Sequence, residues 1–338
     1  MTQAGLGAMA LKVFREPNAV ARPSAPAALP QALTHPHPVQ EPTAMNPVIS
    51  RRLLPGLAAG LATLGTLAAP RLVRAQAAAS TWDTIMQGRK LRVGAALSEP
   101  WYYKDTANSD APGAVRVGDV TWRGIGPRIG ELIARAMNVQ LEMVEVTWGT
   151  AVAALQAGQI DTMFILDPTP ERALAVDFVP SPILWYPIAG LARESVTATT
   201  WTDLNNPSAR VGVALGSSTD QTLTRLAPRA AIQRYPTTGE LMASWQSNRI
   251  DIAVTTGPTV DLTIARMRRG KSLVPRPIVA VPAGAGVRKE TDTRWANYLN
   301  TCVGYFYNGG ITQQIYDEFM VFRGLEAGKA TPIQRELW

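Results

Sequence analysis

The stretch Gln159-Ile-Asp-Thr-Met-Phe-Ile-Leu-Asp-Pro-Thr-Pro-Glu-Arg-Ala-Leu-Ala-Val-Asp-Phe-Val-Pro180 decides how this chain is read. Ala154-Leu-Gln-Ala-Gly158 precedes it, so a helix end and a glycine cap lead through Ile160-Asp161 into a buried strand at 162–166. The same order returns at Ser244-Trp-Gln-Ser-Asn-Arg-Ile-Asp251, which runs into Ile-Ala-Val. Each copy has an upstream companion. Arg92-Val-Gly-Ala-Ala-Leu97 is matched by Arg210-Val-Gly-Val-Ala-Leu215. Arg92 lies 69 residues before Asp161, and Arg210 lies 41 before Asp251. Unequal spacings argue for two related α/β units rather than a repeat array.

Helical signals fill the intervals. Ile125, Ile129, Leu132, Ile133 and Met137 fall on one helical face. Thr237-Thr-Gly-Glu240 reads as a capping box, and Pro258 as the first turn of a helix through Met267. Strands alternating with helices imply mainly parallel sheets covered on both faces. Ligands of such sheets sit beyond the carboxyl ends of the strands, which points to the segments after Leu97, Leu166 and Leu215.

The chain has 338 residues, one cysteine and a formal charge of +7. Seven of its 33 basic residues, but only two of its 26 acidic ones, lie in 1–77, which leaves the remainder near neutral. The charge therefore does not mark a nucleic-acid surface, and no nucleic acid is expected as a partner. Both histidines, His35 and His37, also lie in 1–77. The rest of the chain can build neither a Ser-His-Asp triad nor a histidine metal site, and one cysteine makes no internal disulfide. Cys302 reads as a core helix position. No cofactor and no metal is expected.

Residues 1–44 hold seven prolines and no apolar period, and read as disordered or as a misassigned start. Residues 45–77 resemble a twin-arginine export signal. Arg51-Arg52 precede a Gly/Ala/Leu run to Ala69, and Ala75-Gln-Ala77 offers a cleavage site. An uncleaved membrane anchor is the alternative. Export places the remainder in the periplasm.

Several motifs together resemble the periplasmic solute-binding proteins of polar amino acid importers, solute-binding family 3. They are Gly158 to Asp161, Thr169-Pro-Glu-Arg172, Val176-Asp-Phe178, Pro182 to Tyr186, Trp122-Arg-Gly-Ile-Gly126 and Gly310 to Tyr316. The resemblance covers roughly 88–325. It implies an α/β fold of two lobes joined by two crossover strands, with the ligand cleft between them. The first lobe would take 84–185 plus 286–325, the second 186–285, and 326–338 would form a C-terminal tail. It also implies an extracytoplasmic binding protein rather than an enzyme. Such a protein delivers an amino acid or a related solute to ABC permease subunits in the inner membrane, and acts as a monomer.

The site residues follow from the same resemblance. Arg172 matches the arginine that grips a ligand carboxylate, for which a planar guanidinium is suited. Ser217 and Ser218 stand in the turn that offers backbone N–H groups to that carboxylate. Thr169 is at a contact position, Trp101 matches an aromatic wall, and Ser98 borders its loop. Two departures stand out. Thr256 replaces the aspartate that usually holds the ligand ammonium, while Asp167 stands where a small residue is usual. Asp167 is either the exchanged counter-charge or the start of the turn before Pro168. Trp122 and Trp148 could add aromatic surface to the site, but read more readily as core or lobe-surface residues. An orphan sensory role, or a dehydratase of the cyclohexadienyl type using Glu99 and Asp167, are the competing functions.

Overall fold

A computed structural model describes residues 79–337. The expected extension at 1–44 and signal at 45–77 lie outside these residues. The chain order is α1 (Thr81–Gly88), β1 (Lys90–Ala95), β2 (Tyr103–Asp105), β3 (Val115–Val117), β4 (Val120–Arg123), α2 (Ile125–Met137), β5 (Gln140–Glu145), α3 (Ala151–Gln156), β6 (Met163–Leu166), α4 (Pro170–Ala175), β7 (Val176–Phe178) and β8 (Leu184–Ala192). It continues with α5 (Trp201–Leu204), β9 (Arg210–Ala214), α6 (Ser218–Leu226), β10 (Ala231–Tyr235), α7 (Thr238–Gln246), β11 (Ile252–Thr256), α8 (Gly257–Met267), β12 (Lys271–Leu273) and β13 (Ala280–Arg288). Helices α9 (Arg294–Asn308) and α10 (Ile311–Phe322) follow, then a short 3-10 turn at Arg335–Leu337.

Two α/β lobes result. In the first, β1 pairs in parallel with β5 and is stitched to β6 through Gly94 N–H on the Thr162 carbonyl, 2.9 Å. In the second, β10, β9 and β11 form a parallel set. The sheets are more mixed than the alternation of strands and helices predicts. Strands β8 and β13, nine residues each, pair antiparallel with one another and with strands of both lobes. A strand that leaves one lobe must enter the next sheet from the opposite end, so the crossings run against the parallel sets. A three-stranded antiparallel sheet, β2-β4-β3, lies between β1 and α2 in sequence. It has no counterpart in the sequence reading.

Alternation along the second-lobe strands divides its core in two. Ile188, Val211, Val213, Ile252 and Val254 face α5 and α6, where Trp201, Leu204 and Leu223 pack. Ala189, Leu191 and Ala253 face α7 and α8, against Leu241, Trp245 and Val260. The first lobe has one larger core. It includes Ile125, Ile129 and Ile133 of α2, together with Trp295, Leu299 and Val303 of the returning α9. Cys302 is half-buried on α9, and burial raises its thiol pKa. The box at Thr237–Glu240 is half formed. Thr237 accepts the Glu240 amide, but the Glu240 carboxylate takes the Thr237 hydroxyl instead of reaching back to the backbone. The reciprocal box stands at Thr200 and Asp203.

The last residues are packed. Ile333 is fully buried and its carbonyl accepts the Trp185 amide of β8 at 2.8 Å. Thr331 donates to Asp261 of α8, and the Arg335 guanidinium lies 4.8 Å from the Trp185 ring centre. Among the described residues no helix is long and apolar enough to cross a membrane.

Candidate functional site

The turns after β1, β6, β9 and β11 converge between the lobes. They enclose a cavity of about 40 Å³ lined by Ser98, Trp101, Asp167, Arg172, Ser217, Ser218 and Thr256, among others. Seven of the eight expected residues therefore meet there. Thr169 does not line it. Its hydroxyl caps α4 by accepting the Arg172 amide, and it lines an adjoining crevice with Pro168, Gln221 and Arg225.

Arg172 occupies the first turn of α4 and is 7% exposed. Its Nη1 donates to the Asp167 carbonyl at 3.1 Å, and its Nη2 crosses to the Gly216 carbonyl of the second lobe at 3.0 Å. Neither Glu171 nor Asp177 pairs with it. Burial lowers its pKa, and the neighbouring Asp167 charge opposes that.

Asp167 follows β6 and is 5% exposed. Its Oδ2 accepts from the Tyr186 hydroxyl at 2.5 Å and from the Ser218 hydroxyl of the second lobe. Its Oδ1 is buried without a hydrogen-bond partner. Burial raises the carboxyl pKa against the opposing pull of Ser218, Tyr186 and Arg172. A buried acceptor without a donor is costly, so Oδ1 is primed for a cationic or N–H donor.

Ser217 caps α6. Its Oγ accepts the Asp220 amide at 3.1 Å and donates to the Ala214 carbonyl at 2.6 Å. The start of α6 therefore faces the cavity through Ser217, Ser218 and Thr219. Thr256 caps α8, and its hydroxyl pairs with that of Thr259 at 2.9 Å. Thr259 in turn donates to the Glu99 carbonyl across the cleft at 2.8 Å. The second lobe thus presents hydroxyls at this position. Trp101 is 2% exposed, with its ring 5.7 Å from that of Tyr186.

Three features escaped the sequence. Ile165 lines the cavity at φ +59°, in a β-bulge where Phe164 and Leu166 face adjacent Ala285 and Gly284. A left-handed β-branched residue costs about 1–3 kcal/mol, and such strain gathers at functional sites. Trp148 lines the cavity, whereas Trp122 is buried in the small sheet. Gly216, at φ +70°, approaches Gly149 so closely that a Cβ on it would lie 2.8 Å from the Gly149 Cα. Gly216 stands beside Ser217 in the expected turn, and nothing in the sequence marks Gly149 as its partner.

Asp161 and Asp251 lie away from the cavity, each engaged by an arginine at the start of the neighbouring strand. Among the described residues no group of three histidine, cysteine or acidic side chains could hold a metal.

The model of the bacterial extracellular solute-binding proteins, family 3, matches residues 105–322. Among solved structures, an ancestral amino acid-binding protein, described as a precursor of cyclohexadienyl dehydratase, is 26% identical. That match covers 71% of this chain and 100% of that one, with a TM-score of 0.61. A putative ABC transporter binding component from Wolinella succinogenes, complexed with lysine, is 22% identical over 69% of this chain and 96% of its own, TM-score 0.59. The cysteine-binding protein of Campylobacter jejuni is 17% identical over 76% and 100%, TM-score 0.63. These last two show a common fold. No curated protein matches the chain.

Proposed function

The chain belongs to family 3 of the bacterial extracellular solute-binding proteins, and from that premise we propose that it captures an amino acid between its lobes for an ABC importer. The observation that carries this reading is the pairing of a buried guanidinium, Arg172, with a buried carboxylate oxygen lacking a partner, Asp167 Oδ1, in one cavity. An amino acid brings the complementary charges. Its carboxylate would replace the backbone carbonyls on Arg172 and meet the start of α6 at Ser217 and Ser218. Its ammonium would take Asp167, which supplies from the first lobe the charge that Thr256 does not offer from the second. Trp101 would wall the side chain, with Ser98 beside it. Thr169 would act through the cap that orients α4.

The lobe division at 84–185 plus 286–325 and 186–285 belongs to the same proposal, as do export by the twin-arginine route, a periplasmic location and a monomer that hands its solute to permease subunits. An orphan sensory role shares every one of these residues, and adjacent permease and ATPase genes would separate it from import. The dehydratase reading loses one of its two acids, because Glu99 is held by Arg266 and Arg323.

A thermal-shift screen of amino acids, amines and organic acids tests the reading. A true ligand raises the melting temperature in proportion to the logarithm of its concentration over Kd. Calorimetry on Asp167→Asn then isolates the exchange of counter-charge. Loss of affinity by about tenfold or more is expected, and unchanged affinity would sink the role of Asp167.

A further inference from the structure

Next to the charged cavity lies a larger chamber of about 360 Å³, and the two share Ser98 and Thr238 in their walls. Leu97 and Tyr103 line it from the first lobe, and Met242, Leu262 and Met267 from α7 and α8 of the second. The exposed wall is mainly apolar and its two thioethers make it adaptable in shape, while Thr238, Gln246, Thr259 and Thr263 add polar groups.

One carboxylate lines this chamber, and it is fully engaged. Glu99 Oε1 accepts from Arg266 Nη1 at 2.9 Å and from Arg323 Nη2 at 3.2 Å, while Oε2 accepts from Arg323 Nε at 2.6 Å. Lys104, the other charged lining group besides Arg266, is paired with Glu145. Counting these partners, two acids face three bases. A cationic side chain entering here would find no free carboxylate and a net positive surround. An apolar side chain would find matching walls and lose nothing in leaving water.

We propose that this chamber receives the ligand side chain and selects bulky uncharged amino acids over cationic ones, with Glu99 silenced as a cation acceptor by Arg266 and Arg323. The inference rests on the amino-acid reading above and names the substrate class of that site.

Calorimetry of the full chain with L-methionine, L-leucine, L-alanine and L-arginine provides the test. L-methionine and L-leucine should bind at least about tenfold more tightly than L-alanine, the scale that a few methylenes in an apolar pocket provide. L-arginine should bind more weakly than L-methionine. The double variant Met242→Ala, Met267→Ala removes half-buried wall residues and should reduce the methionine-to-alanine preference by about tenfold. Arginine binding as tightly as methionine, or a preference untouched by the double variant, overturns the chamber while leaving the amino-acid reading intact. Absence of binding by every amino acid overturns both.

Discussion

Arg92 and Asp161 in the first lobe share a set of contacts with Arg210 and Asp251 in the second, yet at different depths; the Arg92 amide also donates to Asp161, and Arg193 lies 3.5 Å from Asp251. In each lobe the arginine Nε and Nη2 grip the carboxylate, Nη1 reaches the carbonyl of a left-handed residue (Gly158 or Asn248), and the aspartate amide returns to the arginine carbonyl. A tryptophan indole then donates to the aspartate carbonyl, Trp295 at 2.9 Å and Trp245 at 3.2 Å. The Asp161 side chain is 2% exposed and that of Asp251 28%. The covering chain makes the difference. Trp245 comes from the adjacent α7, whereas Trp295 is brought by α9, 134 residues further on, which closes over the first lobe. Local sequence sets the device, and long-range packing sets its energetic weight.

The largest effect should therefore fall on the first lobe. Asp161→Ala leaves Arg92 and its amide without their acceptor and should cost about 1–3 kcal/mol in urea unfolding, the range for a buried donor that loses its partner. Asp251→Ala should cost markedly less, because water reaches that pair; equal losses would break the comparison. Between the lobes, Arg172→Ala should weaken amino acid binding by about a hundredfold or more in calorimetry, in line with truncating a buried charged partner. Arg172→Lys should recover only part of it, since the second parallel hydrogen bond is lost. Gly216→Ala should cost about 1 kcal/mol of stability for its positive φ and weaken binding as well, because its methyl meets Gly149 across the cleft. An unchanged Kd there would show that the lobes need not approach at this point.

The smallest expected effect concerns pH. Burial raises the Asp167 pKa above its ordinary 3.8, so the ligand-free folded protein holds this proton more tightly than the unfolded chain. That contribution is present at low pH and is lost as pH climbs from the unfolded value through the folded one. Asp167→Asn should remove this slope from a series of melts. Affinity for an ammonium ligand should move the opposite way and tighten as Asp167 ionises.

Much of this was legible in the chain. The paired Arg-Val-Gly and Ile-Asp motifs were legible because each is a short run that recurs, although the Arg–Asp pairs they form join residues 69 and 41 positions apart. Arg172 and the Ser217-Ser218 turn were found because cap chemistry and ligand chemistry use the same residue types. Ile165 was invisible, because a β-bulge depends on how β13 pairs with β6, and isoleucine is an improbable residue for it. Trp148 and Tyr186 were not counted among the expected site residues, because an aromatic side chain reads alike in a core and in a cleft. The chamber beside Glu99 was equally hidden, for its walls come from three separate segments.

The reliance of Asp161 on Trp295 also orders events at the ribosome. The second lobe draws its strands, its helices and its tryptophan from one continuous run, so it can complete itself while the chain is still being made. The first lobe begins earlier in the sequence but must wait for α9 to arrive. Ile333, which fixes the start of β8 at Trp185, is delivered last. In this chain the part that is translated first is finished second.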